Sequence, residues 1–213
     1  MNKRSQSTKE IRMFPWTVIR WLSCTALLLV AVGARVAPAR AGSGGQAPAQ
    51  RRNQSMFQLT SSAFETESSI PQQFSCDGRD ISPELSWSSA PAGTKSFALI
   101  MHDPDAPIEG GYTHWLVYNI PATANHLPEN VPNQDKVPGG GMQGRNDSGK
   151  YGYTGPCPPS GTHRYYFRLY ALDSELDSRA GASKASLEKA IEGHVLAKAE
   201  LLGRYKRGAG KAA

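Results

Sequence analysis

From residue 56 onward, short apolar or alternating runs are separated by Pro, Gly, Ser and Asp. Five of them, 56–60, 84–87, 96–102, 113–120 and 163–172, have the length and the Phe, Tyr, Trp, Val and Ile content of β-strands. Within the last run, Tyr165, Phe167 and Leu169 fall on one face and Arg164, Tyr166, Arg168 and Tyr170 on the other. That strand has one wholly apolar-aromatic side and one amphipathic side. A helix is expected to begin near Ser183, where Leu187, Ala190 and Ile191 share a face and Ser183 or Ser186 can cap the first turn. From 195 to 205 the apolar residues fit a continued helix as well as a strand with Ala197, Ala199, Leu201 and Tyr205 on one side. Gly193 favours a break before it. Between Ile120 and His163 runs a long stretch rich in Gly, Pro, Asn and Asp, including Gly139-Gly140-Gly141. A loop of that length in a compact domain is usually functional or mobile.

The residues upstream have a different texture. A basic, polar opening, 1–21, leads into the apolar segment 22–32, which has the length of a signal-peptide core and is short for a membrane span. Ala39-Arg40-Ala41 supplies the small-x-small pattern that a signal peptidase reads. The expectation is cleavage after Ala41 and export to the periplasm or beyond, the alternative being an uncleaved N-terminal membrane anchor. Residues 42–55 have almost no apolar side chains and read as a flexible linker. One domain then occupies 56–207, and 208–213 is expected to be a disordered tail.

The chain carries 24 basic and 18 acidic residues, a formal net charge of +6. Seven of the basic residues and one acidic residue lie in 1–41, leaving 17 of each in the remainder. The exported part is therefore neutral, which removes the main electrostatic argument for nucleic-acid binding. Export also removes Cys24 and leaves Cys76 and Cys157, an even number in an oxidising compartment. A bridge between them would close a loop of about 80 residues and contribute about 4 kcal/mol in the loop-entropy treatment. No closely spaced Cys/Cys or Cys/His set suggests a structural metal site.

Three polar clusters lie at the ends of the expected strands. In Asp103-Pro104-Asp105-Ala106-Pro107, two prolines stiffen the backbone and fix where the two carboxylates point. His114-Trp115 opens the next strand, and an antiparallel hairpin would return His114 close to the aspartates, where a carboxylate can hold its imidazole in one tautomer. The third, Gly155-Pro156-Cys157-Pro158-Pro159-Ser160-Gly161, is a stiff loop that delivers His163 and Tyr165 on one face of a strand and can hold free backbone N–H groups for an anion. Taken alone, the first reads as an ordinary Asp/Pro turn and His114 as a satisfied strand histidine. Together they describe a small polar cavity. Two Asp and two His can serve a hydrolase or a metal, and imidazoles, a Tyr hydroxyl and backbone amides can bind an anionic oxygen. No Ser has a nucleophile-elbow context and Cys157 is flanked by prolines, which argues against covalent catalysis. The residues alone leave both readings open.

The set DPDAP (103–107), His114-Trp115 and GPCPPSGTHRYYF (155–167), in that order and spacing, resembles the phosphatidylethanolamine-binding protein family, also called Raf kinase inhibitor-like proteins. FSCDGRDISPELSW (74–87) and EGHVLAKAELLGRYKR (192–207) resemble its bacterial branch. The resemblance covers about 56–207. It implies a mainly β fold, a large antiparallel sheet packed on a smaller one, with few short helices, and it favours a strand after about His194. It also implies a pocket for phosphate-type anions and phospholipid head groups formed by Asp103, Asp105, Pro107, His114, Gly155, His163 and Tyr165. Cys76 and Cys157 belong to the bacterial motifs, as a disulfide or as packing beside the pocket.

The family is generally regarded as non-enzymatic, so the resemblance implies no catalytic residue, no metal and no cofactor. The expected ligand is a small phosphorylated or carboxylated molecule, a phospholipid head group among the candidates. A protein partner and a homodimer are further expectations, with a protease- or kinase-inhibitor module as the second reading and a hydrolase as the third. Eukaryotic members add a C-terminal helix that closes the pocket, whereas this sequence ends soon after Arg207.

Overall fold

The computed structural model describes residues 56–208. The expected signal peptide (1–41), the linker (42–55) and all but the first residue of the 208–213 tail lie outside the described residues. In chain order the strands are β1 (Gln58–Thr60), β2 (Leu85–Ser88), β3 (Ser96–Asp103), β4 (Tyr112–Pro121), β5 (His126–Leu127), β6 (Met142–Gln143), β7 (His163–Leu172) and β8 (Val195–Tyr205). A helix, α1 (Lys184–Ile191), lies between β7 and β8, and a short 3-10 turn covers Gln72–Phe74.

Two antiparallel sheets result, a small one ordered β1-β2-β5 and a larger one ordered β6-β4-β3-β7-β8. The central strand β3 is buried along its whole length, and its alternation divides the interior in two. Phe97, Leu99 and Met101 point into the core between the sheets, with Leu59, Leu85, Trp87, Trp115, Phe167 and Leu201. Ala98 and Ile100 point the other way, where Leu116, Tyr118, Leu172 and the Leu187 and Ile191 side chains of α1 cover the outer face. Fully burying side chains of this size contributes about 1.5–3 kcal/mol each, so the two faces of β3 hold the layers together.

The Ser183 side chain caps α1 by accepting from the Ser186 N–H. Gly193, at φ +81°, turns the chain out of the helix. The ambiguous stretch 195–205 is a strand: β8 pairs with β7 from Leu172↔Val195 to His163↔Tyr205, which satisfies its backbone along an edge no helix could share. Among the described residues, no helix is long and apolar enough to cross a membrane.

The end of β3 and the starts of β4 and β7 meet at one edge of the large sheet. Gly111, at φ +72°, turns the chain back into β4 so tightly that a Cβ there would collide with the Asp103 carbonyl and crowd the His102 ring. The β3–β4 register then shifts, from His102↔Thr113 to Met101↔Trp115, leaving His114 as an extra residue on β4. Strict alternation would place His114 on the face opposite Trp115. The bulge turns it toward the inter-sheet side, where its ring meets Tyr165 with centroids 5.2 Å apart.

Candidate functional site

At this edge is a cavity of about 290 Å³ whose walls include Asp103, Pro107, His114, Gly155, Cys157 and His163. Asp103 closes β3 and is buried. Its Oδ2 accepts from His163 Nδ1 at 2.7 Å and its Oδ1 from the Asp105 N–H at 2.8 Å. Both oxygens are thus committed, and the imidazole of His163 is held by a carboxylate from the neighbouring strand.

His114 is held differently. Its Nδ1 lies 2.7 Å from the Thr154 carbonyl, which can only accept, so Nδ1 carries the hydrogen. The Thr154 N–H in turn donates to the His114 carbonyl at 3.1 Å. Burial holds the His114 imidazole down to about 4, and the ring is neutral near neutral pH. The carboxylate expected beside His114 instead holds His163, because the bulge points His114 toward the 144–155 loop.

That loop is fastened at Asn146, a buried residue whose carboxamide is fully used. Its Oδ1 accepts from the Ser148 and Lys150 N–H groups and the Ser148 hydroxyl, and its Nδ2 donates to the Gly152 carbonyl and the Thr154 hydroxyl. Asp147 exchanges two hydrogen bonds with the backbone of Thr113. The loop supplies the partners that the bulge in β4 leaves without a ladder. Neither Asn146 nor Thr154 lies in one of the three polar clusters; the signal the chain carries for them is the Asn146-Asp147-Ser148-Gly149 run, an Asx-turn.

Pro107 is on the cavity wall, with the half-exposed Ile108 at its mouth. Asp105 is not: its carboxylate takes Arg164 in a two-pronged contact, Nη2 to Oδ1 at 2.6 Å and Nε to Oδ2 at 2.9 Å, and also the Arg164 N–H. Those bonds from Arg164 hold its carboxyl down at about 2. Asp105 therefore latches the 104–111 turn to β7, and Asp103 is the aspartate of the cavity. Tyr165 is completely buried behind the wall between the two imidazoles, with burial and the Asp103 carboxylate pushing its phenol well above the ordinary range. Its hydroxyl finds no well-formed hydrogen bond in the protein.

Gly155, read from the sequence as part of an anion-binding loop, gives its N–H to Asp80 Oδ1 at 2.6 Å. It is a place of close approach, since a Cβ would strike the Phe74 carbonyl and the Asp80 carboxylate. Cys157 is bonded to Cys76, with Cα atoms 5.4 Å apart, and the Cys76 N–H donates to the Pro156 carbonyl at 3.2 Å. The cavity wall is thereby stapled to the 72–80 loop.

Two Asp and two His do not converge as a ligand set, and among the described residues no group of three or more His, Cys, Asp or Glu side chains is placed to hold a metal ion. A concavity of about 370 Å³ between β1 and β8 has Glu65 and Glu200 as its ionisable side chains, and Glu200 is already paired with Arg168 and Lys198.

The family model for phosphatidylethanolamine-binding protein matches residues 60–206. A UPF0098 protein of Methanothermobacter thermautotrophicus is 54% identical over 150 residues, covering 70% of this chain and 99% of that protein. Among solved structures, a phosphatidylethanolamine-binding protein homologue of Chlamydia trachomatis is 42% identical with a TM-score of 0.67, the match covering 72% of this chain and 99% of that one. YbcL of Escherichia coli is 36% identical with a TM-score of 0.66, covering 72% of this chain and 100% of its own. The two-sheet fold agrees with those neighbours, and the chain belongs to the phosphatidylethanolamine-binding protein family.

Proposed function

We propose that this chain, a binding protein of its family, is exported, and that its cavity takes a small phosphate- or carboxylate-bearing head group and holds it without turnover. The observation that carries this reading is the buried Asp103–His163 pair on the wall of a cavity that also contains His114. With Nδ1 given to Asp103, His163 has Nε2 left for a ligand. When both ring nitrogens carry hydrogen, Nε2 offers an N–H to an anionic oxygen and the Asp103 carboxylate balances the charge. A volume of about 290 Å³ suits a head group, at the small end of ligand sites. Pro107, Ile108 and Pro159 give the cavity an apolar side for the remainder of an amphiphile, which keeps phospholipid head groups among the candidates. The Cys76–Cys157 bridge and the leader-like pattern of 1–41 support an oxidising compartment.

A thermal melt tests the reading. Phosphorylethanolamine at about 100 times its Kd is expected to raise Tm by roughly 5–10 °C for a domain of this size. The rise disappears in His163→Ala. Absence of any shift with phosphate, phosphonate and carboxylate ligands would overturn the reading.

A further inference from the structure

We infer that the cavity selects ligands that present a hydrogen-bond donor beside their anionic oxygens, such as hydrogen phosphate, a phosphomonoester monoanion or an ammonium-bearing phosphate, over a tetrahedral anion with no proton, such as sulfate. This deepens the proposed function and rests on the reading of the cavity as an anion site.

The reason is the fixed tautomer of His114. The Thr154 carbonyl has no proton to give, so His114 Nδ1 holds the ring hydrogen and Nε2 is a bare lone pair. No protein group among the described residues meets that Nε2, and the ring lines the cavity. The tautomer cannot exchange cheaply. Thr154 is tied to β4 through its own N–H and to Asn146 through its hydroxyl, and the Asn146 carboxamide has no bonding capacity left. Nor does the ring readily take a second proton. Around it stand Asp103 from β3, Tyr112 from β4 itself at 4.7 Å between rings, Tyr165 from β7, and Asp147 and Thr154 from the 144–155 loop, with His102 on the neighbouring strand and His163 lining the same cavity. Burial outweighs the attraction of the two aspartates.

The two imidazoles are held by unlike partners: the carboxylate behind His163 can balance a second ring hydrogen, and the neutral carbonyl behind His114 cannot. His114 presents an acceptor and repels any oxygen that brings no hydrogen. Phosphate and sulfate have the same shape, so size cannot separate them; the proton can. Leaving a buried acceptor unpaired against another lone pair is expected to weaken sulfate by roughly 10- to 100-fold relative to phosphate.

Calorimetric titration of the purified protein at pH 5.5 and pH 8 tests this with sulfate, inorganic phosphate, methyl phosphate and phosphorylethanolamine. Sulfate has no proton at either pH and inorganic phosphate keeps at least one at both. Methyl phosphate, whose second pKa is about 6, has one at pH 5.5 and none at pH 8. Titration of protein groups is common to phosphate and methyl phosphate. The expected result is phosphate at least 10-fold tighter than sulfate at pH 5.5, and a loss for methyl phosphate between pH 5.5 and 8 that exceeds the loss for inorganic phosphate by a similar factor. At pH 8, phosphorylethanolamine binding more tightly than methyl phosphate assigns the donor to its ammonium; equal loss of both assigns it to the P–O–H. His114→Gln, which offers an amide N–H as well as an acceptor, is expected to bring the phosphate-to-sulfate ratio toward one. Sulfate binding as tightly as phosphate, with methyl phosphate tracking inorganic phosphate, overturns this inference and leaves the anion site standing. No binding of any phosphate at pH 5.5 overturns the anion site itself.

Discussion

Asp103 Oδ2 and His163 Nδ1 lie 2.7 Å apart, the one at the end of β3 and the other at the start of β7, with only 4% and 10% of their side chains exposed. The pairing is a consequence of register. His102↔Tyr166 is the last β3–β7 pair, so Asp103 continues the face of Met101 and His163 the face of Tyr165 and Phe167. Asp103→Ala leaves the His163 imidazole without its partner. The expected stability loss, read by urea denaturation, is about 1–3 kcal/mol. Ligand affinity falls by at least about 10-fold as the ring loses its orientation. Unchanged affinity in a folded variant would remove Asp103 from the site.

The second aspartate of the same motif is expected to behave differently. Asp105 is bound to Arg164 at the surface, outside the cavity. Asp105→Asn should leave affinity for phosphorylethanolamine within about threefold of the parent protein. Because the Asp105 carboxyl is held down at about 2, the stabilisation from this pair is present above pH 4 and is lost as pH falls toward 2. An acid melt of Asp105→Asn against the parent checks the window, and abolished binding would return Asp105 to the cavity.

His114 gives stability a pH dependence of its own. The unfolded chain takes this proton near 6.5 and the folded chain only near about 4. Above pH 6.5 neither state is protonated. As pH falls from 6.5 to 4 the unfolded state alone gains a proton, and roughly 3 kcal/mol of stability is lost, with no further loss below pH 4. His102, also pushed down by burial, acts with the same sign. Urea denaturation at pH 7.5, 6 and 4.5 should show this slope, flattened in His114→Phe; an equally steep slope in the variant would place the ionisation elsewhere.

The disulfide closes a loop with a sequence separation of 81 residues. Reduction, or the double replacement Cys76→Ser with Cys157→Ser, is expected to cost about 4 kcal/mol in the loop-entropy treatment. Since Cys157 lies on the cavity wall, the reduced protein should also bind phosphorylethanolamine more weakly. A denaturation midpoint insensitive to a thiol reductant would contradict the stapling role.

The long elements were legible because their chemistry is periodic. Phe97, Leu99 and Met101, or Tyr165, Phe167 and Leu169, announce a strand face by themselves, and Ser183 announces the start of α1. Strands β5 and β6, two residues each, carry no period to read and exist through their pairing with β2 and β4. The choice between helix and strand at 195–205 was set by the open edge of β7, a tertiary fact. In the site, the motifs identified the neighbourhood and the register assigned the roles. A one-residue bulge moved His114 from a carboxylate to the Thr154 carbonyl, and Arg164 took Asp105 away from the cavity. The Cys pair was reachable by counting, whereas Asn146 and Thr154 act through backbone geometry that composition does not encode.

The most direct test of the central claim is a proton NMR titration of the protein with phosphorylethanolamine that follows the five imidazoles, His102, His114, His126, His163 and His194. The account predicts saturable shifts of His114 and His163 at one common Kd, with His126 and His194 stationary. Stationary His114 and His163 signals in folded protein, or shifts spread evenly over all five, would contradict it.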